Sequence, residues 1–325
     1  MTEAKRTDEL EDFKSQINFC QYASSRGFTL DPKQSSRSSA VMRHANGDKL
    51  IVARSPNRHW IYFNVHDARD RGTIIDFVQI RDRLSLGEVR KELRPWIGRQ
   101  EMIALAKQPT FSELMPVEHD VARVLDVWLK AQAVNGSQAY LEQQRKIPQA
   151  VMGNPIFADR IRIDHRGNAL FPHFSCDGLC GFEIKNNNGF TGYSPGGVKG
   201  LWCSRPQLDD LQLVICETAI DALSYAALFG VTRTRFVSTA GQISPAQAKL
   251  LQSAAEKFPE EGQIVLAMDN DPGGRQLVDT ISQELSEIDL ANKLLVVRQP
   301  DVEGEDWNDV LKRTGRTSPA SPAFG

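Results

Sequence analysis

Three carboxylates carry the chemistry that reads most directly from this chain: Glu217, Asp269 and Asp271. Glu217 follows the apolar run Val214-Ile215-Cys216, while Asp269 and Asp271 follow Val265-Leu266-Ala267-Met268. If both runs are strands of an open parallel sheet, their carboxyl ends share one edge, the place where α/β folds collect ligands. Side chains alternate in extended chain, so Asp269 and Asp271 point to one side and Asn270 to the other. Oxygen donors alone suit Mg2+ or Mn2+ rather than zinc. Each segment has a plainer reading, with Asp271-Pro272-Gly273-Gly274 as a turn and Glu217 as a first-turn acid favoured by the helix dipole. Their conjunction points to a metal.

The elements that must position these acids alternate regularly. Residues 211–216, 235–238, 263–268 and 293–297 read as strands; 219–229, 245–257 and 274–285 read as helices, the second opened by Ser244-Pro245. This predicts an α/β domain over 207–315, its parallel sheet flanked by helices on both faces. Upstream the expected class is α+β. Residues 153–206 carry β runs broken by Gly, Asn and Pro. Residues 101–152 read as a helical linker, with a connector at 100–111 and Val121, Val124, Leu125, Val127, Trp128 and Leu129 crowding one side. Further forward, 49–53 and 60–65 flank the turn Ser55-Pro56-Asn57-Arg58 as a β-hairpin, and 74–97 has the spacing of two short helices. A helical lead (1–36) and a polar tail (316–325) flank these parts.

With 325 residues, 41% hydrophobic and 25% charged, the chain fits two or three globular domains. No apolar run approaches the roughly 18 residues that span a bilayer, and residues 1–12 lack a secretory h-region, so the expected compartment is the cytoplasm. Five cysteines do not make a disulfide framework. The net charge of −2 conceals an asymmetry: 18 Lys+Arg against 13 Asp+Glu in residues 1–100, but 10 against 16 in 211–325. Either an anionic polymer is held at the front and a cation at the back, or the faces are unequally charged solvated surfaces.

The stretch 216–223, Cys-Glu-Thr-Ala-Ile-Asp-Ala-Leu, followed by 267–274, Ala-Met-Asp-Asn-Asp-Pro-Gly-Gly, resembles the Toprim domain of DnaG-type primases, topoisomerases and certain nucleases. Residues 304–309, Gly-Glu-Asp-Trp-Asn-Asp, resemble the third acidic motif of the primase branch. The resemblance covers about 205–315. It implies that Glu217, Asp269 and Asp271 bind metal and catalyse, with Asp221 and Asp306 as supporting acids. Asn308 stands where primases usually place a second Asp, with Asp309 beside it. Residues 160–174 and 181–185 resemble the small subdomain that precedes Toprim in bacterial primases. Lys185, Lys199 and Arg205 are the positions carried over for phosphate or nucleic-acid contact.

Residues 60–65, 72–78 and 84–89 resemble the zinc-binding domain of the same primases. Aligned with that pattern, Val65 and Ala68 occupy cysteine places, and of the first ligand pair only His44 survives. A structural zinc needs four ligands, so 37–100 is expected to fold without zinc, around Trp60, Tyr62, Phe63, Ile75, Phe77 and Leu93. Its 13 Lys+Arg against 7 Asp+Glu over 37–99, Arg54 and Arg58 among them, suit DNA phosphates. Cys176 and Cys180 with His165 and His173 are a weaker metal cluster, and the Gly-rich run 189–197 lacks the Lys of a P-loop.

These readings converge on a primase-like protein of a mobile element, a plasmid for instance, that uses Mg2+ or Mn2+ for nucleotidyl transfer on single-stranded DNA from nucleoside triphosphates. Its expected partner is a helicase or another replication protein, and no membrane. The alternatives are a Toprim nuclease and a catalytically inactive DNA-binding accessory.

Overall fold

The computed structural model describes residues 3–36, 38–97, 114, 119–134 and 136–315. The chain divides into two compact units, Met1–Glu118 and His119–Gly325. The expected connector at 100–111 and tail at 316–325 lie outside the described residues.

In the first unit a five-stranded antiparallel meander runs in sequence order: β1 (Thr29–Leu30), β2 (Ser39–Arg43), β3 (Lys49–Arg54), β4 (Trp60–Asn64) and β5 (Asp67–Thr73). The expected hairpin is its β3–β4 pair. Helices α1 (Glu3–Gln16), α2 (Phe19–Ser25), α3 (Ile74–Asp82) and α4 (Leu86–Leu93) supply the rest. Reciprocal caps start the two helices expected within 74–97: Thr73 with Asp76, and Ser85 with Glu88. Phe77 is the hub of the core, its ring centroid 5.1 Å from Phe19 and 5.2 Å from Tyr62. Phe13, Ile17 and Phe19 are buried with Trp60, Ile75 and Leu93 in this cluster, so the boundary expected at residue 36 runs through one core.

Phe63 corrects the expected core list. β4 alternates strictly, burying Trp60, Tyr62 and Asn64 while Ile61 and Phe63 stand on the outer face. Strand geometry allows only one of two adjacent aromatics inward. Phe77→Ala is therefore expected to destabilise the unit by about 3–5 kcal/mol, whereas Phe63→Ser stays within roughly 0.5 kcal/mol of wild type. Urea unfolding of both variants checks this.

The second unit holds two sheets. One is antiparallel, ordered β10-β9-β8-β7-β6, from β6 (Gln132–Ala133), β7 (Arg162–Ile163), β8 (Ala169–Ser175), β9 (Gly178–Lys185) and β10 (Thr191–Tyr193). The other, ordered β11-β13-β12-β14-β15, comprises β11 (Trp202–Cys203), β12 (Gln212–Cys216), β13 (Thr234–Ser238), β14 (Gln263–Ala267) and β15 (Leu294–Val297). All its pairs are parallel except β11 with β13. Helices α7 (Ala219–Phe229), α8 (Pro245–Glu256), α9 (Pro272–Ser286) and α10 (Trp307–Thr314) flank it. The α/β expectation for the C-terminal domain and the α+β expectation for the rest both hold.

The segment expected as a helical linker is more varied. It contains α5 (Val121–Lys130), β6, a π-type turn at Tyr140–Gln144 and α6 (Gln149–Met152). On α5 only Val124 and Trp128 are buried, while Val121, Leu125, Val127 and Leu129 are exposed. Tyr140, Leu141, Phe157 and Phe171 share a core with Val214, Tyr225 and Trp307, so the boundaries expected at 152 and 206 fall inside one packed body.

Candidate functional site

β12 and β14 are neighbours with Cys216 paired to Ala267, so the residues that follow each strand leave the sheet on one edge. Local capping then fixes the acids. Thr218 caps α7 and donates its hydroxyl to Asp221 Oδ2 at 2.6 Å. Asp271 caps α9, its Oδ1 accepting from Gly274 N at 2.6 Å. A Cβ at Gly274 would stand 2.1 Å from the Asp269 carbonyl oxygen, so only glycine lets the helix start this close to the strand end. Asp306 caps α10 and accepts from Asp309 N at 2.6 Å.

Three further ties bind the third acidic segment to the second. Asn270 N donates to Glu305 O at 3.0 Å and Gly304 N to Asn270 O at 2.7 Å. Trp307 Nε1 reaches Ala267 O at 3.0 Å. Asn270, three residues past the end of β14, donates its amide to Pro300 O at 2.9 Å.

The acids share one electrostatic field. Burial raises the Glu217 carboxyl above its usual range, repulsion from Asp271 adds to this, and Lys185 and Lys199 oppose it. Burial and then Asp306 push Asp221 up to about 7. Asp269 is raised strongly, by burial first and then by Asp221, Glu217, Asp306 and Asp271. Asp306 is raised by burial, with Arg145 and Lys312 among the opposing charges. The Oδ1 atom of Asp269 is buried with no hydrogen-bond partner.

The other expected contact residues divide. Lys185 pairs with Glu183 at 3.1 Å, both buried, and its charge acts on Glu217 and Asp221. Lys199 donates to Ala240 O at 2.6 Å, and burial holds its ammonium below the usual range although Glu183 and Glu217 pull the other way. Arg205 is not brought to the acids; its guanidinium is bonded to Ala158 O at 2.9 Å and Asp159 at 3.1 Å. In the first unit Arg54 is buried over the Trp60 ring and donates to the Arg58 carbonyl, which makes it a clamp on the turn. Arg58 is exposed at the left-handed position of that turn, φ 64°.

Arg145 escaped the sequence reading because it lies in a stretch read as linker, 161 residues before Asp306. Asn308, which stands where a second acid was expected, is a structural tie instead, donating to Arg145 O at 2.6 Å and Ser224 Oγ at 2.9 Å. The Cys/His alternative does not assemble: His173 Nδ1 is bonded to Gly200 O at 2.7 Å, Cys180 Sγ donates to His173 O, and Cys176 and His165 are exposed.

An all-oxygen donor set, with raised carboxyls and an unpartnered buried Asp269 oxygen, fits a hard divalent cation chemically. The arrangement is looser than a closed coordination shell, for among the described residues no three His, Cys, Asp or Glu side chains are grouped to hold an ion as they stand.

A stability prediction follows from the raised carboxyls. Such groups contribute stability that is present below their unfolded value near 4 and is lost as pH rises through the folded value. Asp269→Asn removes one of these charges. In metal-free buffer it is expected to raise Tm at pH 8 by a few degrees, on the order of 1 kcal/mol, and to lose that advantage at pH 4. Thermal melts at the two pH values with EDTA present check the sign.

The sequence model of a family described as Toprim-like matches residues 214–311. A second, described as a protein of unknown function (DUF3991), matches 139–210. No curated protein matches the chain. The first match encloses all five acids; the second encloses Arg145, Lys185, Lys199 and Arg205. The C-terminal region is thus similar to Toprim-like domains, a type that binds divalent metal and serves nucleic-acid processing.

Proposed function

We propose that the second unit is a primase-like nucleotidyl-transfer centre acting on single-stranded DNA with nucleoside triphosphates. The observation that carries this reading is the mutual electrostatic influence of five acids, Glu217 and Asp221 after β12, Asp269 and Asp271 after β14 and Asp306 at the start of α10, opposed by Lys185 of β9 and Lys199 of the loop before β11. Acids and cations side by side suit a ligand that arrives as a metal-bound polyphosphate.

Glu217, Asp269 and Asp271 would hold the divalent ion, with Asp221 and Asp306 behind them. When bound, that ion supplies neutralisation of charge on the phosphoryl oxygens and alignment of the attacking and leaving groups. Lys185 and Lys199 would hold the phosphates. Glu217 would act either as a ligand of that ion or as the base that takes the proton of the attacking hydroxyl. The basic excess of the first unit supports a role for it in holding the strand.

Incubation with single-stranded DNA, labelled nucleotides and Mg2+ or Mn2+ should give products longer than any primer supplied. Asp269→Asn with Asp271→Asn should abolish extension by at least about a hundredfold and remove Mn2+ binding in titration. Lys199→Ala should raise the KM for nucleotide. Shortened DNA in place of extended product would assign the same acids to a nuclease, and no metal-dependent product of either kind would leave an accessory DNA-binding role.

A further inference from the structure

The antiparallel sheet has a second face. Side chains alternate along β9, so Glu183 and Lys185 face the acids while Phe182 and Ile184 face the other way. There Leu170, Phe182 and Ile184 floor a groove of about 360 Å³, walled by Val124 and Val127 of α5. That volume lies at the lower end of the range of small-ligand sites, roughly 300–1,000 Å³.

Three features of the rim select the ligand. Phe190 lines the groove. A Cβ on Gly192, which pairs with Ile184 on the groove side, would lie 2.6 Å from the Phe190 ring. The ring therefore covers the bare glycine backbone while 54% of the residue stays exposed. Arg123 on α5 and Arg166 in the β7–β8 turn also line the groove, both exposed and without an ion-pair partner among the described residues. The nearby acid, Asp164, is spent within its own turn: it accepts from Arg166 N at 2.8 Å, Asn168 N at 2.9 Å and Asn168 Nδ2 at 2.8 Å. His165 adds no negative charge.

We infer that this groove holds an unpaired nucleotide of a single strand, its base against Phe190 and the apolar floor, its phosphates on Arg123 and Arg166. Leu170 and Phe182 are themselves buried, but Ile184, Val127 and the exposed Phe190 ring leave an apolar surface on which any base can rest. Two unpaired guanidinium groups give the anionic complement that an apolar peptide would not need. The inference takes its ligand class from the nucleic-acid reading above, but the groove lies across the sheet from the acids and needs no metal.

The test uses the full chain, an oligothymidylate and EDTA. Phe190→Ala should weaken affinity roughly tenfold, while Phe190→Trp retains it. Arg123→Ala with Arg166→Ala should lower the salt slope of binding by about 1. Ultraviolet cross-linking followed by peptide mapping should place the oligonucleotide on the segment that bears Phe190, in wild type and in Asp269→Asn/Asp271→Asn alike. A cross-link there in a protein that shows no metal-dependent activity would uphold the groove and overturn only the catalytic reading. Unchanged affinity in Phe190→Ala with an unaltered melting curve, cross-links confined to other segments, or no binding of the oligonucleotide by the full chain would overturn the inference.

Discussion

Carboxylates that repel one another are nevertheless buried together at one edge of the parallel sheet, and the architecture of the second unit answers that constraint. Registered pairing of β12 with β14 leaves no freedom in where Glu217 and Asp269 emerge. Helix N-termini then relieve part of the strain, since Asp221, Asp271 and Asp306 each sit in the first turn or at the cap of a helix, where N–H groups and the helix dipole favour negative charge. Asp269 has no such support for its Oδ1, and it is the acid on which four other carboxylates act. Its relief must come from a proton or a cation.

The antiparallel sheet completes the site. The parallel sheet has two faces to bury: α8 and α9 cover one, with Leu251, Leu277 and Ile281 in the core, and the other is closed by α7, α10 and residues 140–171. That shared packing carries β9 to the acids, and Glu183 and Lys185 arrive as a buried pair rather than as a bare cation. Removing one member of such a pair would leave an uncompensated charge. Lys199 is fixed differently, by the Ala240 carbonyl in the loop after β13, and Gly241 N bonds Glu217 O at 3.2 Å. One loop thus ties a cation and an acid of the same site.

How much of this was legible follows from the range of the forces involved. The strands and helices of 211–297 could be read because fully buried parallel strands are continuous apolar runs and a helix cap such as Ser244 is a local signal; the Asp271 cap, read as a turn, was not. The first two acidic segments could be read from the strands they follow, whereas the third was legible only through its resemblance to the primase motif. Arg145 and the role of Asn308 could not, because their link spans 163 residues and has no local signature. α5 misled: an amphipathic period states that a helix has an apolar side, not how much of that side finds a partner, and Val121, Leu125 and Leu129 found none among the described residues. Phe63 misled because β-propensity does not say which face of a strand looks inward.

Charge counting overstated the first unit in a related way. Its basic excess is real, yet several of the cations are engaged by the fold before any ligand arrives. Arg81 is bonded to Asp48 at 2.7 Å and to the buried Asp70, which also accepts from Tyr62 Oη at 2.7 Å and Asn64 Nδ2 at 3.0 Å. That network ties the β4–β5 pair to α3, and a buried polar group of this kind is tolerable only when its members are bonded. Arg54 holds its own turn, Arg43 pairs with Asp31, and Arg90 and Arg94 share Glu9. The same residue type therefore serves two roles that a count cannot separate. Paired arginines hold parts of the fold together, and only cations outside such pairs add fully to a field that an anionic strand would feel.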